Sequence, residues 1–496
     1  MPPVVENETQ PTSPVNQPPH LLQRKQTEGR QNLLITLSLL LTLLVFWGPP
    51  LLNSLERSSV QGVIEQRQLE LQSLAQQAFY REVPTNTPDQ NTPLLSQQLF
   101  GPDPLHDLAH TLQERQQNST SPDPDLQLRL VLVLLAINQP HEALPLVEHL
   151  SSHPAELSGA KLTLHQALLQ RVAGSSTAAS ALDGLGNELL VDALPNHPLY
   201  QSLACSALDL DRPFCHGSHG GALWRLVLVS LVGPLALVSG LVLWLVQLGR
   251  FLWSWNRPRP SPPQLTAPLT LPALLLFFFG GVVVLGNVSG GLVFLALQPW
   301  LHSSSSQGQA LSTMLLYGGQ ALPGLGVLAW QRRREGQSGW QWLHWRLGCR
   351  SLPMALQYLL LSLPLVLLTS WGVSQLFPQA GGSNPLLELV LESKDWTALA
   401  LFALTACLLA PLYEELVFRA TILPTVVNAY GAVVGVILSS LLFAAAHLSL
   451  VEFFPLLILG LGLGWLRLSS GSLSACVLMH AAWNSYTLVN LALLGL

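Results

Sequence analysis

The stretch LLAPLYEELVFRATILP, residues 408–424, sets Glu414, Glu415 and Arg419 inside a run that is otherwise uncharged from Trp396 to Val451. Such a run suits a membrane-spanning helix, which needs about 20 apolar residues to cross a hydrocarbon layer of about 30 Å. Ionisable groups at that depth are costly and mark functional positions. The stretch therefore decides both the medium in which the chain folds and where its chemistry is to be sought.

Working outward, the rest of the chain has the composition of that medium. Of its 496 residues, 49% are hydrophobic and only 10% charged, against about 25% charged in an ordinary soluble domain. Apolar runs fall at about 33–52, 222–248, 269–299, 310–330, 355–377, 397–412, 430–448, 454–468 and 472–495. The pattern predicts an all-α polytopic membrane protein with about 8–9 transmembrane helices. The Gly-rich 269–299 run is longer than a span requires and is expected to tilt or break. The net charge of −5 is spread over two environments and names no partner. No basic patch points to nucleic acid.

Lys and Arg gather on the cytoplasmic side of a membrane protein. Arg24, Lys25 and Arg30 precede the first run, so the N-terminus is predicted to be cytoplasmic. Alternation then returns to the cytoplasm the loop with Arg250, Arg257 and Arg259, and the loop with Arg332, Arg333, Arg334, Arg346 and Arg350. The opposite links, 302–309 and 378–396, hold one Lys and no Arg. The first run starts late and no small-residue cleavage pattern follows it closely, so it reads as an anchor rather than a cleaved signal peptide.

Residues 1–31, polar and Pro-rich, read as a disordered cytoplasmic leader, followed by an anchor at 32–52. Residues 53–221 form the one sizeable polar region, extracytoplasmic by the charge rule and mostly helical. Its apolar stripes alternate with turns at NQP (138–140) and SSHP (151–154), which predicts antiparallel helix pairs without a regular repeat. Segment 82–104 has the composition of a linker. Cys205 and Cys215 lie ten residues apart in this region, and a disulfide and two free thiols both fit the sequence there. Cys349, Cys407 and Cys476 fall in or beside spans and are expected to be apolar fillers. Residues 222–354 hold further spans and WQRRREGQSGWQWLHWRLGCR (330–350), whose Trp and Arg content predicts a helix lying in the headgroup zone. His106 and His110, and the cluster Cys215, His216 and His219, read as surface groups near turns rather than metal ligands.

From Trp396 to Leu496 the charged side chains are Glu414, Glu415, Arg419, Glu452 and Arg467, joined by His447 and His480. Glu415 and Arg419 are spaced i,i+4 with the acid first, the better order for an ion pair on a helix. Glu414 is turned by about 100° toward neighbouring helices. Phe443 and His447, and His480 and Asn484, repeat the i,i+4 spacing over small residues that let helices approach. Rises of about 22 Å and about 27 Å from the turn near 429 bring Glu414 and His447 to similar depth. A carboxylate beside an imidazole, both withdrawn from bulk water, can activate a water molecule. A second imidazole and an amide can donate to the oxyanion of a tetrahedral intermediate. The parts suit amide hydrolysis.

E-E-x-x-x-R at 414–419, F-x-x-x-H at 443–447 and H-x-x-x-N at 480–484 resemble the three motifs of the CPBP family. These are the Abi or type II CAAX-processing intramembrane proteases, described as glutamic endopeptidases. Every motif position is matched, and the resemblance covers about residues 355–496. It implies a protease core over that range, in which Glu414 and His447 activate the water and His480 and Asn484 stabilise the oxyanion. Glu415 and Arg419 would organise the site. It also implies peptide or membrane-protein substrates, lipidated ones among them, met in the bilayer. No cofactor is expected. The alternative is zinc held by Glu414, His447 and His480, which are ligand types for a catalytic zinc, and the family has also been labelled metalloprotease. No H-E-x-x-H motif occurs, since HEAL at 141–144 lacks the second His. A non-catalytic membrane adaptor or immunity protein is the rival from another functional class.

Overall fold

The computed structural model describes residues 37–55, 60–82, 100–118, 123–151, 159–174, 182–216, 220–254, 265–301, 305–336, 339–346, 348–377 and 385–495. The expected disordered leader, most of the expected linker, Arg257, Arg259 and His219 lie outside the described residues. Among the described residues every regular element is helical. Each of the nine apolar runs carries a helix. Gly221–Trp253, Leu271–Pro299, Ser351–Leu376, Trp396–Tyr430 and Leu450–Ser470 are each long and apolar enough to cross a membrane, and Leu37–Phe46 and Ala432–Ala446 are shorter apolar helices. Ser306–Arg334 and Leu473–Gly495 occupy the remaining two runs, with Ser, Gln, His and Asn diluting their apolar character. The protein is an integral, multi-pass membrane protein. The long 269–299 run does not break. It widens into π turns over Leu276–Leu285.

Between the first two runs lie the helices Val60–Glu82, Pro104–Asn118, Pro124–Ala136, Pro140–Ser151, Gly159–Val172, Asn187–Ala193 and Pro198–Ala207. Several begin with Pro, whose fixed φ suits a first turn and whose missing N–H costs nothing there. Asp123 caps one of them by accepting from the Asp125 amide at 3.0 Å, satisfying one of the orphan donors of that end. Helix 124–136 is the centre of the group, with Leu130, Val131, Leu132, Val133 and Leu134 all buried. Cys205 and Cys215 are joined by a disulfide.

Against helix 124–136 sits a fully buried carboxylate, Glu70. It accepts from the Gln66 amide at 2.6 Å, the Tyr200 hydroxyl at 2.6 Å and Arg67 at 3.0 Å. Burial pushes its carboxyl up, but His197, Arg67, Tyr200 and Gln66 together bring it down to about 2. Burial brings the neighbouring His197 imidazole down to about 3.

These helices rest on the membrane helices. Their apolar core continues from Leu203 and Leu208 through Leu226, Leu391 and Phe402 to Leu491. Lys394 donates to the Asn196 carbonyl and, at 3.1 Å, to its side-chain oxygen. The contact falls beside the N-terminus of helix 396–430, which carries Glu414 and Glu415.

Among the described residues of 330–350 no continuous helix forms: residues 330–334 end helix 306–334, and Gln341–Leu343 make a single 3-10 turn. Helix 306–334 stops because Gly336 and Gly339 adopt φ of 71° and 91°, a conformation glycine enters without a steric penalty. The segment then folds back on the core, with Trp342 buried and the Arg332 guanidinium 4.6 Å from its ring. Trp340 and Trp345 stay exposed. Cys349 is exposed as well, and so is not a filler.

Candidate active site

Helix 396–430 is capped by Asp395, which accepts from the amides of Thr397 at 2.7 Å and Ala398 at 3.1 Å. It does not keep one pitch. π turns at Leu404–Leu409 and Leu416–Ile422 flank a short α segment, Ala410–Glu415, that carries both carboxylates. Wide turns of this kind open backbone carbonyls to outside donors and are frequent at functional sites, and in a membrane such groups must find protein partners. They do. Asn484 Nδ2 donates to Ala406 O at 2.7 Å, Ser439 Oγ to Phe418 O at 3.0 Å and Arg467 Nε to Arg419 O at 3.2 Å. The side chains that shape the site are therefore also those that let the helix deform.

Helix 432–446 delivers Phe443 and ends at His447. The chain then reverses through Leu448, at a φ of 53° that a branched residue rarely adopts. The next helix starts with Leu450 N donating to Ser54 Oγ at 3.1 Å, from the end of the first membrane helix. Helix 450–470 comes close to helix 432–446 because Gly460 has no side chain. A Cβ there would sit 3.1 Å from Ser440 Cβ and 3.2 Å from Phe443 Cδ1.

At the centre, Glu415 and Arg419 are fully buried and meet at 3.2 Å. Arg419 also donates to Gly460 O at 3.2 Å and stacks 4.3 Å from the Phe443 ring. Glu415 Oε1 accepts from His480 Nδ1 at 2.9 Å. His447 Nδ1 donates to Phe443 O at 2.9 Å. A carboxylate and a carbonyl can only accept here, so both rings carry a proton at Nδ1 and turn Nε2 elsewhere. Both Nε2 atoms face the same atom, Glu414 Oε2, each at 3.8 Å. That separation is too long for a direct hydrogen bond, and Glu414 Oε2 is a buried oxygen without a hydrogen-bond partner among the described residues. Phe443 packs edge-on against both imidazoles, with centroids at 4.9 Å and 5.6 Å.

Glu414 and His447 keep 18% and 25% of their side-chain surface, whereas His480 keeps 4%. The first two accordingly line a cavity of about 170 Å³, shared with Trp47, Asn287, Tyr317, Gln320 and Tyr413. Glu414, Glu415, Arg419, His447 and His480 form one contiguous set. Asn484 stands on the same helix as His480, with one amide hydrogen engaged by Ala406. Among the described residues, no group of three or more His, Cys, Asp or Glu side chains is disposed to hold a metal ion. His106 and His110 lie near Asp103 and Glu114 on an exposed helix instead.

Sequence reasoning gave no role to Arg467, which is fully buried and donates to Arg419 O, Gly471 O at 2.8 Å and Leu343 O at 3.2 Å. A charge inside a span was the available signal. Trp47 and Tyr317 offered none, because nothing along the chain ties residues 47 and 317 to residue 414.

Residues 396–486 match the family model of the type II CAAX prenyl endopeptidases, Rce1-like. This is the family that the three motifs resemble, and it is a family of proteases. The Rce1-like segment contains Glu414, Glu415, Arg419, His447, His480 and Asn484. It leaves outside Trp47, Tyr317 and the helices between 60 and 216. No curated protein and no solved structure matches the chain.

Proposed function

We propose that the protein is an intramembrane endopeptidase that hydrolyses peptide bonds of membrane-associated or lipidated protein substrates, using a water activated by Glu414 and His447. The observation that carries this reading is the convergence of both imidazole Nε2 atoms on Glu414 Oε2 at 3.8 Å, beside a cavity. The match to CAAX prenyl endopeptidases supports a prenylated protein as the substrate class.

In this mechanism the water oxygen attacks the scissile carbonyl carbon while Glu414 Oε2 takes a proton from it. The oxyanion that forms is met by His480 and Asn484. With His480 Nδ1–H held by Glu415, donation from Nε2 requires the imidazolium, and the Glu415 carboxylate supplies its counter-charge. Asn484 retains a second amide hydrogen beyond the one given to Ala406. Collapse of the intermediate breaks the C–N bond, and the proton held by Glu414 passes to the leaving amine. Arg419 holds Glu415 and keeps it out of the proton transfer. The reading needs no metal, and a zinc-dependent version would draw on Glu414, His447 and His480.

The test is cleavage of a prenylated, CAAX-terminated peptide by the full-length protein in proteoliposomes. Glu414→Gln and His447→Ala are expected to abolish cleavage while accumulating normally. Wild-type function in either variant would leave the non-catalytic adaptor as the better reading. Loss of activity on chelation, restored by zinc, would replace the metal-free mechanism. Comparing membrane proteomes of wild-type and Glu414→Gln cells for uncleaved precursors then identifies natural substrates.

A further inference from the structure

Helix 306–334 lies outside the Rce1-like segment, yet it follows helix 396–430 closely. Gln307 Nε2 donates to Asp395 Oδ2 at 2.8 Å, at the cap where helix 396–430 begins. Further along, the Tyr317 hydroxyl stands 3.4 Å from Ala410 O and 3.5 Å from Glu414 Oε1. At Gly324 a Cβ would come 2.8 Å from the Tyr413 hydroxyl, so a larger residue there would displace that hydroxyl. The Tyr317 ring stands at 90° to that of Tyr413, with centroids 6.1 Å apart. The Tyr413 ring thus packs edge-on beside the ring whose hydroxyl approaches Glu414.

The two oxygens of Glu414 are thereby made unlike. Oε1 faces a phenol hydroxyl, and Oε2 faces the Nε2 atoms of His447 and His480. A terminal carboxylate torsion is broad and roughly two-fold, so an unheld Glu414 would present either oxygen, over a range of angles, to the water. A carboxylate and a carbonyl only accept, so the one phenol proton serves Ala410 O and Glu414 Oε1 between them, at long range to both. Tyr317 also lines the cavity with Glu414 and His447, on a helix outside the matched segment.

We propose that Tyr317 is a positioning residue for hydrolysis: its hydroxyl holds Glu414 Oε1 and so keeps Oε2 turned toward the two imidazoles and the attacking water. The inference rests on the proposed role of Glu414 as the base. Its effect belongs to the chemical step, because a misoriented base leaves substrate binding intact.

The experiment compares wild type, Tyr317→Phe, Glu414→Gln and the double variant, all full-length in proteoliposomes, on a prenylated CAAX peptide. Tyr317→Phe keeps the ring and removes only the hydroxyl. It is expected to lower kcat by about 10–100-fold, the scale of a misplaced catalytic group, with KM and the thermal unfolding midpoint unchanged. The double variant is expected to be no worse than Glu414→Gln, because both changes act through one group. A Tyr317→Phe enzyme with wild-type kcat overturns the inference, as does one whose KM rises while kcat holds, or whose loss only tracks its folded fraction. Activity in Glu414→Gln would remove the base itself. An inactive Glu414→Gln beside a fully active Tyr317→Phe would sink the role of Tyr317 alone.

Discussion

Asn484 and Ala406, 78 residues apart, are joined across two helices by an amide-to-carbonyl hydrogen bond of 2.7 Å. Ala406 lies in a π segment, and the bond satisfies a carbonyl that lipid could not. Asn484 therefore has structural work as well as its proposed place beside the oxyanion. Asn484→Ala is expected to lower unfolding free energy by about 1–3 kcal/mol, the cost of an unsatisfied buried acceptor. Denaturant titration in detergent measures it, and an unchanged midpoint would assign the bond no net contribution.

Arg467 ties three carbonyls, on Arg419, Gly471 and Leu343, to one guanidinium. Lysine keeps the charge but concentrates its donors on one nitrogen and cannot span them. Arg467→Lys should destabilise the protein by about 3 kcal/mol, the scale of one or two charge-assisted bonds. Reduced accumulation in membranes and a lower thermal midpoint are the readouts. Equal stability in the two proteins would contradict the fork geometry.

Gly460 sets the approach of helix 450–470 to Phe443, and Phe443 packs on both imidazoles. Gly460→Ala is expected to cost about 1–3 kcal/mol by overpacking and to reduce peptide cleavage in the fraction that stays folded. Gly326→Ala, whose new Cβ would meet nothing within 4 Å, serves as the neutral comparison. Similar behaviour of the two variants would show that the close approach has no bearing on the site.

Acid should loosen the helices between 60 and 216. In the unfolded chain His197 takes up a proton near pH 6.5, whereas folded it resists protonation until about 3. The unfolded chain binds more protons across that window, so stability falls as pH falls through it. Glu70 acts in the same direction lower down, from an ordinary value of about 4.3 to about 2 in the fold. Going from pH 7 to pH 5 is expected to cost about 2 kcal/mol, read as a drop in the thermal midpoint. His197→Asn should flatten that dependence, and an unaltered slope would remove His197 as its source.

The Cys205–Cys215 bridge closes a loop of ten residues' separation, which stabilises a fold by about 3 kcal/mol in the chain-entropy description. Reductant should lower the midpoint of the same helices. Blocking free thiols in intact membranes before denaturation should leave these two unlabelled. Full labelling in cells would count against the bridge, and also against placing this region outside the cytoplasm.

Much of this was legible along the chain. The nine apolar runs became helices because length and hydropathy are local properties, and the i,i+4 spacing of Glu415 with Arg419 predicted their pairing because one helix holds both. The 330–350 segment departs from a continuous helix for a related reason. Its Trp and Arg content is that of a headgroup-zone helix, but Gly336 and Gly339 break the backbone and the Arg332–Trp342 stack draws the segment onto the core.

By itself the sequence determined the medium, the helical class and the identity of the ionisable groups, since each follows from composition and from spacing within single helices. Only the tertiary structure decided which nitrogen of each imidazole faces Glu414, which of its oxygens they face, and that the Tyr317 hydroxyl stands near the other. Those facts depend on distances between helices far apart in the chain. They are fixed where Gly460, Gly324 and the π turns of helix 396–430 set how closely the helices approach.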